Sequence, residues 1–416
     1  MFIVLIFIVA CNACDSKCEN IKFITAPINE NILKDDSNLQ IIPYKEVDTP
    51  SLPASEAEIK EMSALFESPQ LMGDLIDTDD FYVGYDSSEF FIFFNFKDRM
   101  LRKVDINSGD VSDIMNITSD DSHYVMSILY SDSWVIWTES LDEALHIGSS
   151  TGEDWAIYAA NIYTKEIIQI DHERKDFPKD RSVNAIPIDM SVCGNTYSFV
   201  GYDMDDGGVY QAVKVFNFET KELRIIAKLY DEDRGFSSPS VGEDVIVFSS
   251  SRHSKEGTLV DTILYLYDLE SGELSEIENP RNAILPSTGG NYMVASIREF
   301  PTLATTIVIY DIKEKQWILE FDQTASAFKK ESSGLNIDYP VIYEHYLVWN
   351  DYSYDLLFVY DFENNIFYRV LDKEVPYYPG VVRSFQDGVF VWIEHPIADG
   401  EISRLNYTFF LKKAND

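Results

Sequence analysis

The sequence predicts an all-β fold: a β-propeller of seven blades, with six blades plus an irregular region as the alternative. The first observation behind this is a repeated unit, clearest in residues 261–277, DTILYLYDLESGELSEI. Ile263–Tyr267 is an unbroken apolar run, Asp268 ends it, Glu270-Ser271-Gly272 turns the chain, and Leu274–Ile277 starts back. Equivalent anchors are Asp105, Asn161, Asn217, Asp311, Asp361 and, more weakly, Asn406. A period of roughly 40–55 residues, all of it strand, is that of propeller blades. The second observation is an apolar run ahead of each anchor: 90–96, 134–137, 197–202, 245–248, 292–297, 346–349 and 389–392. These runs barely alternate. A strand with one wet face alternates, whereas a strand between two neighbouring blades is buried on both faces.

The chain has 416 residues, with Lys+Arg 33 against Asp+Glu 71, a formal net charge of −38. Such an acidic surface excludes nucleic acid or an anionic membrane surface as the main partner. It tolerates a cationic ligand or a metal.

Residues 1–10, MFIVLIFIVA, are continuously apolar. They are too few to span a bilayer and fit the apolar region of a secretory signal. Ile8-Val9-Ala10-Cys11 resembles a bacterial lipobox, which implies that Cys11 becomes a lipidated N-terminus outside the cytoplasm. No Lys or Arg precedes the apolar run, a departure from the usual signal. Residues 11–54 then read as a tether, and Cys14 and Cys18 within it as thiols or a pair. Cys193 reads as packing in a strand-rich region. Ser55-Glu56-Ala57-Glu58 is a capping box that predicts a short helix to about Glu67, with a linker to residue 76. The propeller is expected over 77–416. Its last blade shows three clear strands, and Leu39–Tyr44 is the candidate for the missing outer one, closing an edge that would otherwise invite aggregation.

In one unit, Ser238-Pro239-Ser240-Val241-Gly242 precedes VIVFSSSR and then ILYLYDLESGEL. This resembles the repeat of bacterial TolB-like propellers, in which Ser-Pro-Asp-Gly is followed by an apolar strand and a Tyr-x-x-Asp strand. Ser240 stands where that repeat has Asp, and the other units keep only the strand–Asp–turn half. The resemblance implies a propeller scaffold, often surface-bound and engaged in protein contacts. Tyr310 and Trp317, after Gly289-Gly290, resemble a kelch repeat in a single unit.

Propeller ligands usually meet loops at one mouth of the channel. The loops after the second strands begin with Glu139, Asp203, Arg252, Arg298, Asp351 and Glu394, a candidate ligand-binding ring, with Trp137, Trp349 and Trp392 just inside. Polar residues at surfacing strand ends are the bland alternative. Asp203, Asp205 and Asp206, followed by Gly207-Gly208, are the candidate metal ligands. Ca²⁺ is the cofactor such a loop would take, and an acidic hairpin tip is the default, because the twelfth position is Lys214 rather than Glu. No zinc-protease motif or phosphate loop occurs in the sequence. His395 beside Glu394 is the sole acid–base pair singled out.

These readings lead to a lipid-anchored binding or scaffold protein of the bacterial cell envelope. Its partner would be an envelope protein, a peptide or a glycan, and its membrane contact would be through the anchor alone. The alternative is a propeller enzyme that cleaves extracellular glycans through carboxylates near the channel.

Overall fold

The computed structural model describes residues 21–23, 39–43, 60–61, 70–71, 80–86, 90–117, 122–141, 154–174, 187, 190–230, 233–254, 259–279, 281–299, 304–322, 337–351, 356–369, 377–386, 389–396 and 404–409. Among them every regular element is a strand. The strands form seven separate sheets. Six are built on antiparallel strands consecutive in sequence, four in each except the fourth, whose first strand is split into Arg234–Phe236 and Ser240–Val241. The first is Asp80–Asp86, Phe90–Asn95, Met100–Asp105 and Val111–Asn116. The second spans 124–172, the third 190–229, the fourth 234–277, the fifth 284–322 and the sixth 337–369. The seventh takes Tyr377–Gln386, Val389–Pro396 and Arg404–Phe409 from the C-terminal end of the chain.

Each sheet packs face to face on the next. Phe90, Ile92 and Phe94 meet Val125, Ile128 and Val135 of the second sheet. Phe91 and Phe93, on the other face of the same strand, meet Val389 and Val391 of the seventh. Successive side chains of a strand point to opposite faces, so an all-apolar strand feeds two cores at once. Phe91, Ile92, Phe93 and Phe94 are all at most 1% exposed. The same division places Val135 and Trp137 in one core and Trp134 and Ile136 in the next. Further cores join third to fourth, fourth to fifth, fifth to sixth and sixth to seventh. The sheets therefore form one ring, a β-propeller. The first strands touch one another in succession from Asp80–Asp86 to Tyr377–Gln386. Their amides also bond sideways: Val241 N–H donates to Ser191 Oγ at 3.0 Å, and Thr288 N–H to Ser240 Oγ at 3.0 Å. Ser240 thus ties the fourth sheet to the fifth.

The anchors share one turn. Asp105 Oδ1 accepts from the amides of Asn107 and Ser108, and Asn161 Oδ1 from Tyr163 and Thr164. Asn217 serves Glu219 and Thr220, while Asp268, Asp311 and Asp361 each accept from the amide three residues on. A short side chain that bonds its own following backbone makes this an Asx turn. The Ser271 amide accordingly pulls the Asp268 carboxyl below its ordinary value. The residue four beyond each anchor then has a left-handed backbone: Gly109, Lys165, Lys221, Gly272, Lys315 and Asn365. Only glycine adopts that conformation without cost. Lys315→Gly is therefore expected to raise stability, and Gly272→Ala to lower it, each by about 1 kcal/mol; urea denaturation midpoints measure both. Asn406 is not such an anchor. It lies inside Arg404–Phe409 and faces Leu71 across the sheet.

The N-terminal residues complete the ring from outside, and two expectations change there. The outer strand of the seventh sheet is Gln70–Leu71, antiparallel to Asn406 and Tyr407. Gln40–Ile42 instead adds in parallel to Leu274–Ile277 of the fourth sheet. Ile42 is apolar enough to fill the core there (3% exposed), and a buried side chain fixes the place of its strand. The helix predicted from Ser55 is not found at its middle, and its other residues lie outside the described ones. Lys60 and Glu61 are a strand, parallel to Tyr368 and Arg369 of the sixth sheet. An open sheet edge offers a row of amides and carbonyls, and pairing with it outweighs a helix preference of a few tenths of a kcal/mol per residue. Ile21–Phe23 adds in the same way to Ile167–Gln169 of the second sheet. Cys11, Cys14, Cys18 and the lipobox lie outside the described residues.

Candidate functional site

The six ring residues occupy equivalent places. Glu139 faces Ala156, Asp203 faces Tyr210, Arg252 faces Asp261, Arg298 faces Thr305, Asp351 faces Leu356 and Glu394 faces Arg404. Each therefore sits where its second strand ends and the third begins, on one face of the ring. Asn95 has this place in the first sheet, facing Met100. Sequence reading missed it because the residue is uncharged. It is 1% exposed, and its Oδ1 accepts from the Asp98 amide at 2.8 Å.

Where their side chains are described, the ring residues are engaged within the protein. Glu139 is 1% exposed and accepts from Trp137 Nε1 at 3.2 Å. Arg252 pairs with Asp261, which also pairs with Arg234. Asp203 pairs with Arg174 at 2.9 Å and with Lys214 at 3.6 Å. Trp137 and Trp392 are core residues, stacked on Tyr158 and Phe390 respectively. The side chains of Arg298, Trp349, Asp351, Glu394 and His395 lie outside the description.

The acidic hairpin at Asp203–Asp206 holds lysines. Lys214 Nζ lies 2.7 Å from Asp171 Oδ2, which comes from the outer strand of the second sheet. Burial alone would push the Lys214 ammonium down, but the carboxylates of Asp171 and Asp203 outweigh it and hold it above the ordinary lysine value. Lys228, 1% exposed, lies 2.9 Å from Asp205 Oδ2 and over the Tyr210 ring at 4.1 Å. Tyr230 donates to the same Asp205 oxygen at 2.6 Å. The tyrosine hydroxyl first, and Lys228 second, pull the Asp205 carboxyl down to about 2. Among the described residues no group of three or more His, Cys, Asp or Glu is arranged to hold a metal ion. Two of the three candidate ligands already carry ammonium partners. Millimolar Ca²⁺ is expected to leave the thermal midpoint unchanged; a rise of several degrees would show that the loop binds the ion.

A second feature that sequence reading missed lies in the first strands. Pro187, Pro239, Pro286 and Pro340 stand in or beside the first strands of the third to sixth sheets and are buried. Pro239 precedes Val245, Pro286 precedes Tyr292 and Pro340 precedes Tyr346 at one spacing. Each of these three falls in a break of the ladder between first and second strands, and in the seventh sheet the break directly follows Pro379, which pairs with Glu394. Proline has no N–H to give, so it is tolerated only at sheet edges and bulges. The proline six residues ahead of the second strands of the fourth to sixth sheets was the available signal.

No protein-family model matches the sequence, and no curated protein matches it. Solved structures do. The β-propeller domain of the Trilobed protease from Pyrococcus furiosus is 11% identical, with a TM-score of 0.50 over 81% of this chain and 99% of that one. A prolyl endopeptidase is 10% identical, with a TM-score of 0.52 over 80% of this chain and 50% of that one. The likeness is one of fold. TolB from Acinetobacter baumannii also matches, at 11% identity and a TM-score of 0.37 over 78% of this chain and 65% of that one. This chain thus spans about half the length of the prolyl endopeptidase.

Proposed function

We propose that this chain is a binding or scaffold propeller that engages an envelope protein or peptide through the loops at its second-strand ends, and that its sheets act as seven blades of one rigid platform. The observation that favours binding over turnover is the engagement of the two carboxylates Asp203 and Asp205 at that face. A glycosidase needs one carboxyl held protonated near neutral pH and a second one ionised. Asp205 is instead pulled down to about 2, and Asp203 is spanned by Arg174 and Lys214. These groups fix the loops that present a surface. Glu276 is pushed up by burial, but it lies on an outer strand, at the rim of the ring.

The lipobox-like Ile8-Val9-Ala10-Cys11 supports an extracytoplasmic, lipid-anchored location. A glycan ligand is the second form of the same proposal. Affinity purification of the full chain from cross-linked native membranes, followed by mass spectrometry, tests it. The expected result is one stoichiometric protein that survives washing, and that is lost when Arg298, Asp351 and Glu394 are replaced together. Retained glycan fragments that shorten with time would overturn the binding reading in favour of an enzyme.

A further inference from the structure

The segment around Ile42 fills a groove whose requirements are general. Gln40, Ile41 and Ile42 pair in parallel with Ser275, Glu276 and Ile277. The Glu278 amide donates to the Ile42 carbonyl at 2.8 Å. Ile42 is inserted in the core between the fourth and fifth sheets, among Ile277, Leu264 and Trp317. Leu39, three residues earlier, packs on the core between the third and fourth sheets. The two apolar side chains therefore straddle the edge of a single sheet, one in each flanking core. Ile41 between them is 60% exposed and plays no part in the fit. Pro43 follows and has no N–H with which to prolong the pairing.

A strand added to a sheet edge is held by backbone bonds and selected by the pockets its side chains enter. The groove asks for three paired residues and two apolar side chains three positions apart, and nothing in that demand is peculiar to this chain's own segment. Nor does the ring require such a strand at every edge. The outer strands Glu222–Leu229 and Gln316–Asp322 pair with no further strand among the described residues. The hold is also short: three parallel pairs, of the less stable kind per residue.

We propose that the edge Leu274–Ile277 is a peptide-binding site, occupied in cis by Leu39–Ile42. Its ligand in trans is an extended peptide with apolar residues at its first and fourth positions, running parallel to residues 274–277. The chain's own segment is the competitor that such a ligand displaces. This site is on the rim, separate from the second-strand face, and stands or falls without it.

The test uses the full chain, its Ile42→Asp variant, and a fluorescent peptide of residues 37–44. The variant is expected to bind the peptide saturably and at least about tenfold more tightly than the parent chain does, since the cis competitor is then weakened. A peptide carrying the Ile42→Asp change is expected not to bind. A folded variant with no saturable binding, or equal binding by variant and parent, overturns the proposal. Should Ile42→Asp not fold, a protease site placed within 46–52 of the parent chain is cut after folding. Uptake of labelled peptide by the cut protein alone supports the site; a cut protein that takes up none overturns it.

Discussion

Gly289→Ala is expected to cost about 3–5 kcal/mol, or to prevent folding at 37 °C, the range of the severest overpacking changes. A Cβ at this position would overlap the carbonyl oxygen of Ile342 and lie 2.8 Å from its carbonyl carbon. Both atoms belong to the first strand of the sixth sheet, and Gly289 ends the first strand of the fifth. The collision is of a Cβ with backbone atoms, so no rotamer relieves it, and the two sheets would have to separate at a core that includes Val294, Ile309 and Leu347. Gly84→Ala sets the comparison: there the nearest atom is the Cβ of Tyr130, at 2.7 Å, which no rotamer of that ring moves but which overlaps a new Cβ less than the Ile342 carbonyl oxygen does. A smaller loss is expected for it. Denaturation midpoints, or soluble yield where folding fails, measure both.

The second large effect is expected at the buried lysine of the third sheet. Asp171→Asn with Asp203→Asn removes both carboxylates from Lys214, whose side chain is 4% exposed. A buried ammonium left without its counter-charges costs about 3–5 kcal/mol. Adding Lys214→Met is expected to recover most of that loss, because the charge that needed partners is then gone. If the triple variant is no more stable than the double, the loss comes from something other than the stranded charge. The pH dependence of this sheet follows from Asp205 and Lys214. Asp205 is lowered to about 2, so its contribution is complete above the unfolded carboxylate value of about 4 and is lost as pH falls toward 2. Lys214 is raised, so its contribution is complete below about pH 10 and is lost as pH rises through its folded value. A urea midpoint that falls between pH 4 and pH 2 in the parent, and falls less in Asp205→Asn, is the expected signature.

The interior of the ring was legible in the sequence because its signals are local. An Asp or Asn that closes a turn works through its own next three residues, so Asp105, Asn161 and Asp268 declare themselves one unit at a time. Runs such as Phe90–Phe94 feed two cores and therefore show no alternation. The rim was not legible. Pairings of two or three residues, as at Lys60–Glu61 and Gln70–Leu71, are too short to carry a period. At Ser55–Glu58 a capping signal pointed to a helix, but the neighbouring Lys60 and Glu61 answer to an edge more than three hundred residues away in sequence. The candidate site was half legible. The strand-end positions are as the spacing placed them. The role of Asp203 and Asp205 was not, because their ammonium partners Lys214 and Lys228 sit on later strands and the second anion, Asp171, comes from another sheet.

The central claim is that the chain's own N-terminal residues complete the propeller from outside, each at a defined edge. Cysteine pairs test it most directly, in a full chain with Cys11, Cys14, Cys18 and Cys193 changed to serine. Gln70→Cys with Tyr407→Cys and Ile41→Cys with Glu276→Cys occupy facing positions and are expected to join rapidly with a short bifunctional cross-linker. Ile41→Cys with Tyr407→Cys is expected not to. Joining of the 41–407 pair in place of the 70–407 pair would contradict the account, and would return the closure of the seventh sheet to the segment the sequence first suggested.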